Sequence, residues 1–238
     1  MQLSEKELAE ADALQKGFQP QYWNLLQGVR TYLLLLVPSM DPEEYKNIFN
    51  KLQETADLDE QVTLYSALPI LPYPNAFIKQ TAEGIRTNIT HVFDAIALNN
   101  PFPAKYLDEP AWNQMVLKAV FMQRPLYRIY GADERVNPDL AGMLIDFAHE
   151  RWAANRMVLP ELWRFVGPFL SNNYLTDIEK VINGDALEKK AGLLACAHSN
   201  LPEAQRLLNQ FPVIKKDIES GKLNWTEIGK KYQRVLQE

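Results

Sequence analysis

Signals that open a helix recur along the whole chain, and almost nothing in it signals a strand. Ser4 with Glu7 spells a capping box, in which each side chain takes up a backbone N–H left free in the first turn. Asp185 with Glu188 and Asn224 with Glu227 are weaker forms built on other cap residues. Asp41-Pro42 and Asn137-Pro138 put a cap residue before a proline, whose missing N–H costs nothing at the first helical position. Glycine is scarce, at 10 in 238 residues, and the good helix formers Leu, Ala, Glu, Lys and Gln dominate. The expected fold is all-α.

Helices are expected to open near residues 4, 20, 42, 60, 77, 110, 138, 160, 185, 202 and 224. Several gaps are about 22 residues, and two helices per ~40–47 residues is the period of HEAT and armadillo arrays. The segment AGLLACAHSNLPEAQRLL reads as one such unit, a helix, a Ser-Asn turn and a second helix. The arrangement is therefore either a right-handed helical-repeat solenoid or an irregular antiparallel helical bundle. The prolines of Ser66 to Asn75 make that stretch partly non-helical, and those of Asn99 to Pro110 read as a second ordered loop. Neither has the composition of a flexible linker, so residues 1–238 read as one domain with a subdivision near 66–76.

The charge balance, 25 basic against 30 acidic residues, supplies no field for a polyanion, so nucleic acid is not an expected partner. One cysteine, Cys196, excludes an internal disulfide framework. The N-terminus lacks the basic start and apolar run of a signal peptide. The longest apolar run, Tyr32 to Val37, is far too short to span a membrane and reads as a buried helix segment. A cytoplasmic location is expected.

Motifs that would fix a chemistry are missing. There is no glycine-rich phosphate loop and no GxSxG elbow. Asp57-Leu58-Asp59-Glu60 lacks the aspartate spacing that holds magnesium in prenyl-diphosphate synthases, and no paired Glu-x-x-His motifs suit a di-iron bundle. His91 with Asp94 and Asp146 with His149 each set a histidine and a carboxylate three apart on one helical face. Converging, the four would suit zinc, iron or manganese; hydrogen bonding inside a core explains them equally, and no cofactor is expected. His149-Glu150-Arg151-Trp152 starts like a zincin helix, but Ala153 stands where its second histidine belongs. Cys196 and His198, two apart on a helix, face different ways, and Cys196 reads as a packed core thiol.

Tryptophan, arginine and asparagine are dense between residues 99 and 169. Asn99 and Asn100 precede Pro101 and should fold back on the loop backbone. Asn113 and Lys118 follow Trp112, Arg151 and Arg156 flank Trp152, and Arg164 follows Trp163. Arginine beside tryptophan can stack and present a fork to a carboxylate or phosphate. These residues, with His149 and Glu150, form the candidate groove for a ligand or partner; the alternative is core tryptophans and solvated arginines. Arg124, Arg128 and Arg135 with Lys118 read as a solvated face.

The strings ALNNPFP (97–103), AWNQMVLKA (111–119), AHERWA (148–153) and PELWRFVGPF (160–169), with Asn137-Pro138 through Ala141, resemble the EboA-domain family. The resemblance covers residues 85 to 170; the N-terminal third and the tail from Tyr174 share only helical character. It implies a protein encoded in a bacterial gene cluster with a UbiA-like prenyltransferase, TIM-barrel metal-dependent enzymes and a sugar-phosphate cyclase-like enzyme. Such a cluster is associated with making or exporting a specialised metabolite, an isoprenoid being one option. It carries over no catalytic residues. Two functions are expected from this. One is a non-catalytic helical scaffold or binding protein, partnered by proteins of the same cluster or a small hydrophobic metabolite. The other is an all-α enzyme or ligand carrier with a polar site in residues 91–165.

Overall fold

The computed structural model describes residues 2–38 and 41–236, and among them there are α-helices, short 3-10 turns and no strands. The capping signals act as written. Ser4 and Glu7 bond reciprocally at the start of α1 (Glu5–Leu14), as Asp185 and Glu188 do before α12 (Ala186–Ala197). Asp41, Asn137 and Asn224 each accept from a first-turn N–H at the starts of α3 (Pro42–Thr55), α9 (Pro138–Ala153) and α15 (Trp225–Val235). Two further boxes, Asn24 with Gln27 and Asp57 with Glu60, open α2 (Leu25–Leu35) and α4 (Leu58–Ala67). The aspartate weighed as a magnesium ligand is thus a helix cap.

Among the helices whose starts carry no side-chain cap are three that the sequence leaves unmarked. They are α6 (Thr90–Ala97), entered from Ile89, α7 (Phe102–Tyr106), entered from Pro101, and α11 (Leu175–Ile182), entered from Tyr174. α14 (Pro212–Glu219) is entered from Phe211, with only Pro212 to mark it. These starts interrupt the expected beat, and α7 occupies what reads as loop between Asn99 and Pro110. α5 (Ile78–Gly84), α8 (Glu109–Phe121), α10 (Trp163–Val166) and α13 (Pro202–Asn209) complete the set. The AGLLACAHSNLPEAQRLL segment forms its helix, turn and helix as α12 and α13.

The chain divides into two compact units, residues 1–115 and 116–238, and Ser66 to Asn75 lies inside the first. In that first unit α3 buries Tyr45 and Phe49, four apart on one face, against Phe77. α4 and α6 pack together and bury Leu64, Tyr65, Phe93 and Ile96. Asn100 ties this layer: its amide donates to the Tyr65 and Ala95 carbonyls at 3.1 and 2.8 Å, and its oxygen accepts from Phe102 N–H. It is the backbone-folding amide its place before Pro101 suggests.

The apolar run from Tyr32 to Val37 is not buried. α2 sits on α4 through the side that carries Thr31, its one buried residue, and Tyr32, Leu33, Leu35 and Leu36 face outward. Hydrophobicity alone marks a segment for burial without saying what buries it.

In the second unit α9 buries Leu140, Ala141, Leu144, Ile145 and Ala148, a stripe at helical spacing. α12 is the centre. α10, α11, α13, α14 and α15 all pack on it, and Ala191 to Cys196 are buried without interruption. A helical stretch apolar all round, as Ala191 to Cys196 is, must be enclosed. Its small residues allow close approach, and at Gly167 the chain passes so near that a Cβ there would lie 2.8 Å from the Ala195 carbonyl oxygen.

Candidate functional site

The second unit contains an open cleft of about 440 Å³ where α9 ends. Asn155 ends that helix by taking φ +52°. Arg156 N–H returns to the Arg151 carbonyl at 2.8 Å and Asn155 N–H to that of Trp152 at 3.0 Å. This is a Schellman turn with asparagine in the left-handed position usually given to glycine. The reversed chain presents the Met157 carbonyl to Arg151, whose Nε donates to it at 3.0 Å. Trp152 is left half-exposed at the last turn of α9, while Trp163 is buried at the start of α10. Their rings stack with centroids 5.9 Å apart and planes at 22°.

α11 closes one side. Its Lys180 holds Nζ 4.1 Å from the centre of the Trp152 ring, a cation–π contact. Asp177, one turn earlier, lies 2.9 Å from Nε2 of His149, whose ring is 5.8 Å from that of Trp152. Val158 and Val181 add apolar wall, and Asn155, Arg156 and Glu188 stand at the rim. Glu188 is engaged by the Asp185 backbone N–H. Lys180 and Arg156 are exposed, and among the described residues neither forms an ion pair with a carboxylate. The cleft thus sets the partly exposed ring of Trp152, backed by the buried Trp163, beside two cations that pair with no carboxylate among the described residues, Lys180 already lying over the indole.

Of the residues singled out from the sequence, the cleft gathers Trp152, Arg156 and Trp163, with His149 at its edge and Arg151 supporting its turn. Glu150 is exposed on α9. Arg164 is spent elsewhere, in a two-pronged ion pair with Asp133 at 2.6 and 2.7 Å. Burial works to raise Asp133, but the Arg164 hydrogen bonds and charge outweigh it and hold the carboxyl below its usual range. Asn99, at φ +54°, and the buried Asn100, Trp112 and Asn113 lie in the first unit, and Lys118, whose ammonium burial lowers, lies on α8; none lines this cleft. Among the described residues no three His, Cys, Asp or Glu side chains are grouped to hold a metal ion, so His91, Asp94, Asp146 and His149 do not form the set their spacing allowed. Asp177, twenty-eight residues on, is the carboxylate His149 meets.

Cys196 is fully buried and burial pushes its thiol up to about 12, as befits core packing. The folded protein should therefore give no colour with a thiol reagent such as Ellman's, and one equivalent after unfolding; a fast titre in the native state would contradict this packing.

Glu161 carries no signal in the sequence and is, among the described residues, the one acidic or basic side chain that is buried, with no exposed surface. Its Oε1 accepts the Tyr127 backbone N–H, and its Oε2 is enclosed with no partner among the described residues. Burial pushes its carboxyl up to about 8, against the lowering effect of the Tyr127 N–H and the Arg164 charge. The room it occupies exists because residue 229 is glycine: a Cβ there would fall 2.6 Å from the Glu161 carboxyl carbon.

The family described as Metabolite traffic protein EboA matches residues 1–167. The chain belongs to the EboA family. The match takes in the N-terminal third as well as the central strings, and it ends just after α10. Trp152, Arg156 and Trp163 of the cleft fall inside the EboA match, while Asp177, Lys180 and Glu188 lie beyond it. No curated protein matches the chain, and neither does any solved structure. Among the described residues no helix is long and apolar enough to cross a membrane.

Proposed function

We propose that this protein is a non-catalytic binding protein that handles a small metabolite in a bacterial specialised-metabolite pathway, acting in the cytoplasm beside proteins of the same gene cluster. The family's description as a metabolite traffic protein supports handling of a small molecule. The observation that carries the reading is the partly exposed Trp152 ring, stacked on the buried Trp163, with Lys180 over it and Arg156 in the same cleft, neither cation paired with a carboxylate among the described residues. An apolar body laid against Trp152 would bury hydrocarbon, and an anionic group on it would meet the two cations. The favoured ligand is an apolar molecule with one carboxylate or phosphate.

Native mass spectrometry of protein purified from its own host tests this. The wild type should carry a small anionic molecule in stoichiometric amount. Trp152→Ala should lower its occupancy about tenfold or more through loss of one stacking wall, and Lys180→Gln should lower it in a salt-dependent way. A ligand retained undiminished by both variants would place binding elsewhere.

A second reading rests on the His149–Asp177 pair, in which a carboxylate orients an imidazole at the cleft edge, as in general-base catalysis. Under it, His149→Ala would keep the ligand and accumulate it unreacted. Under the binding reading, the same variant leaves the bound species unchanged.

A further inference from the structure

We propose that the exposed face of α2 is where this chain pairs with a second copy of itself. Leu25, Leu26, Val29, Tyr32, Leu33 and Leu36 are 72%, 51%, 48%, 62%, 57% and 59% exposed. Their spacing places all six on one side of the helix, as a continuous stripe about 120° wide. A stripe this broad on a chain in water needs a cover.

The spacing identifies that cover. Two antiparallel copies of α2 crossing at Val29 set Leu25 against Leu33 and Leu26 against Tyr32, with each Val29 facing its twin. Every member of the central stripe then meets a member of the same stripe, which is the condition for a closed two-fold interface. Valine, the smallest of the six, sits on the axis, where the helices come closest. Tyr22, exposed in the turn before α2, occupies the sequence position that answers Leu36.

Charge agrees. Between Lys16 and Lys46 the only basic residue is Arg30, and it is held by Glu60 at 3.6 Å. The stripe itself is uncharged, so nothing in it repels its copy. A lipid surface fits less well: residues 1–115 carry fifteen acidic against eight basic residues, which an anionic bilayer would repel. The exposed side chains offer on the order of 600–800 Å² per copy, what one side of a standard protein interface covers.

Sedimentation velocity on the full chain, from low micromolar to high micromolar concentration, tests the pairing. The wild type should sediment as a dimer. Val29→Glu brings two carboxylates together on the axis and should weaken dimerisation about a hundredfold, with an unchanged circular dichroism spectrum because residue 29 is half exposed. Phe121→Glu, at another exposed apolar residue, should leave the dimer intact. Val29→Cys should cross-link to its twin on mild oxidation, and the buried Cys196 does not compete. A wild type that stays monomeric at high micromolar concentration overturns the proposal, as does a dimer that survives Val29→Glu. So does a monomer that floats with phosphatidylcholine vesicles, which would assign the stripe to lipid.

Discussion

The Glu161→Gln variant is expected to hold its stability as pH rises from 5 to 9 while the wild type loses much of its own. In the folded chain Glu161 keeps its proton up to about pH 8, because the ionised form would sit in a sealed apolar site. In the unfolded chain the same carboxyl loses its proton near the ordinary value of 4.5. Between those two values the folded state binds more protons than the unfolded state, so stability falls as pH rises. The contribution is fully present below 4.5 and fully lost above about 8. At ~1.4 kcal/mol per pH unit the loss is on the order of 5 kcal/mol, a large share of the roughly 5–15 kcal/mol that holds a domain folded.

Glutamine keeps the shape and the oxygen that accepts the Tyr127 N–H, and it has no proton to lose. Urea unfolding at pH 5, 7 and 9 reads this directly. The midpoints of wild type and Glu161→Gln should lie close together at pH 5 and separate at pH 9, with the variant higher. Asp133 does not confuse the measurement. Its carboxyl is held below the usual range, so its contribution is present above 3.8 and is lost only as pH falls further. Parallel midpoints across the whole range would show that Glu161 ionises freely and is not sealed as described.

Gly167→Ala is expected to destabilise the protein by about 1–3 kcal/mol, the scale of overpacking in a close-packed core. The backbone at Gly167 is helical, with φ −45° and ψ −51°, so alanine fits the conformation. Space forbids it. The new Cβ would lie 2.8 Å from the Ala195 carbonyl oxygen and 3.1 Å from the Ala195 Cα, both backbone atoms of the central helix. The stretch of α12 from Ala191 to Cys196 is buried without interruption, and the helix cannot step back without disturbing the five helices packed on it. Gly142 supplies the contrast. It lies within α9, and a Cβ there meets nothing within 4 Å. Gly142→Ala should therefore raise stability by roughly 1 kcal/mol, the ordinary helix preference of alanine over glycine. Thermal unfolding of the two variants should shift in opposite directions, and a Gly167→Ala protein as stable as wild type would disprove the close contact.

These two residues show how unevenly the structure is written in the chain. Gly167 lies in the string PELWRFVGPF, which carries the family resemblance, yet nothing near it in sequence reveals that Ala195 is its neighbour. Glu161, in the same string, looks like an ordinary first-turn acid. Only the enclosure made by Tyr127 and by the missing side chain at Gly229 turns it into a buried acid.

What the sequence by itself determined are the features closed within a few residues. The caps at Ser4, Asp41, Asn137, Asp185 and Asn224 need only their own first turns, and the amide of Asn100 uses its neighbours Ala95 and Phe102 along with Tyr65. The all-α fold follows from such local bonds repeated along the chain. The tertiary structure decided which apolar surface is covered and which side chains meet. It left the stripe of α2 outside because that helix docks by its Thr31 side, and it set Lys180 over Trp152 and Asp177 against His149. Those pairings depend on where whole helices pack, a matter of burial summed over many distant residues, and no stretch of the chain contains that sum.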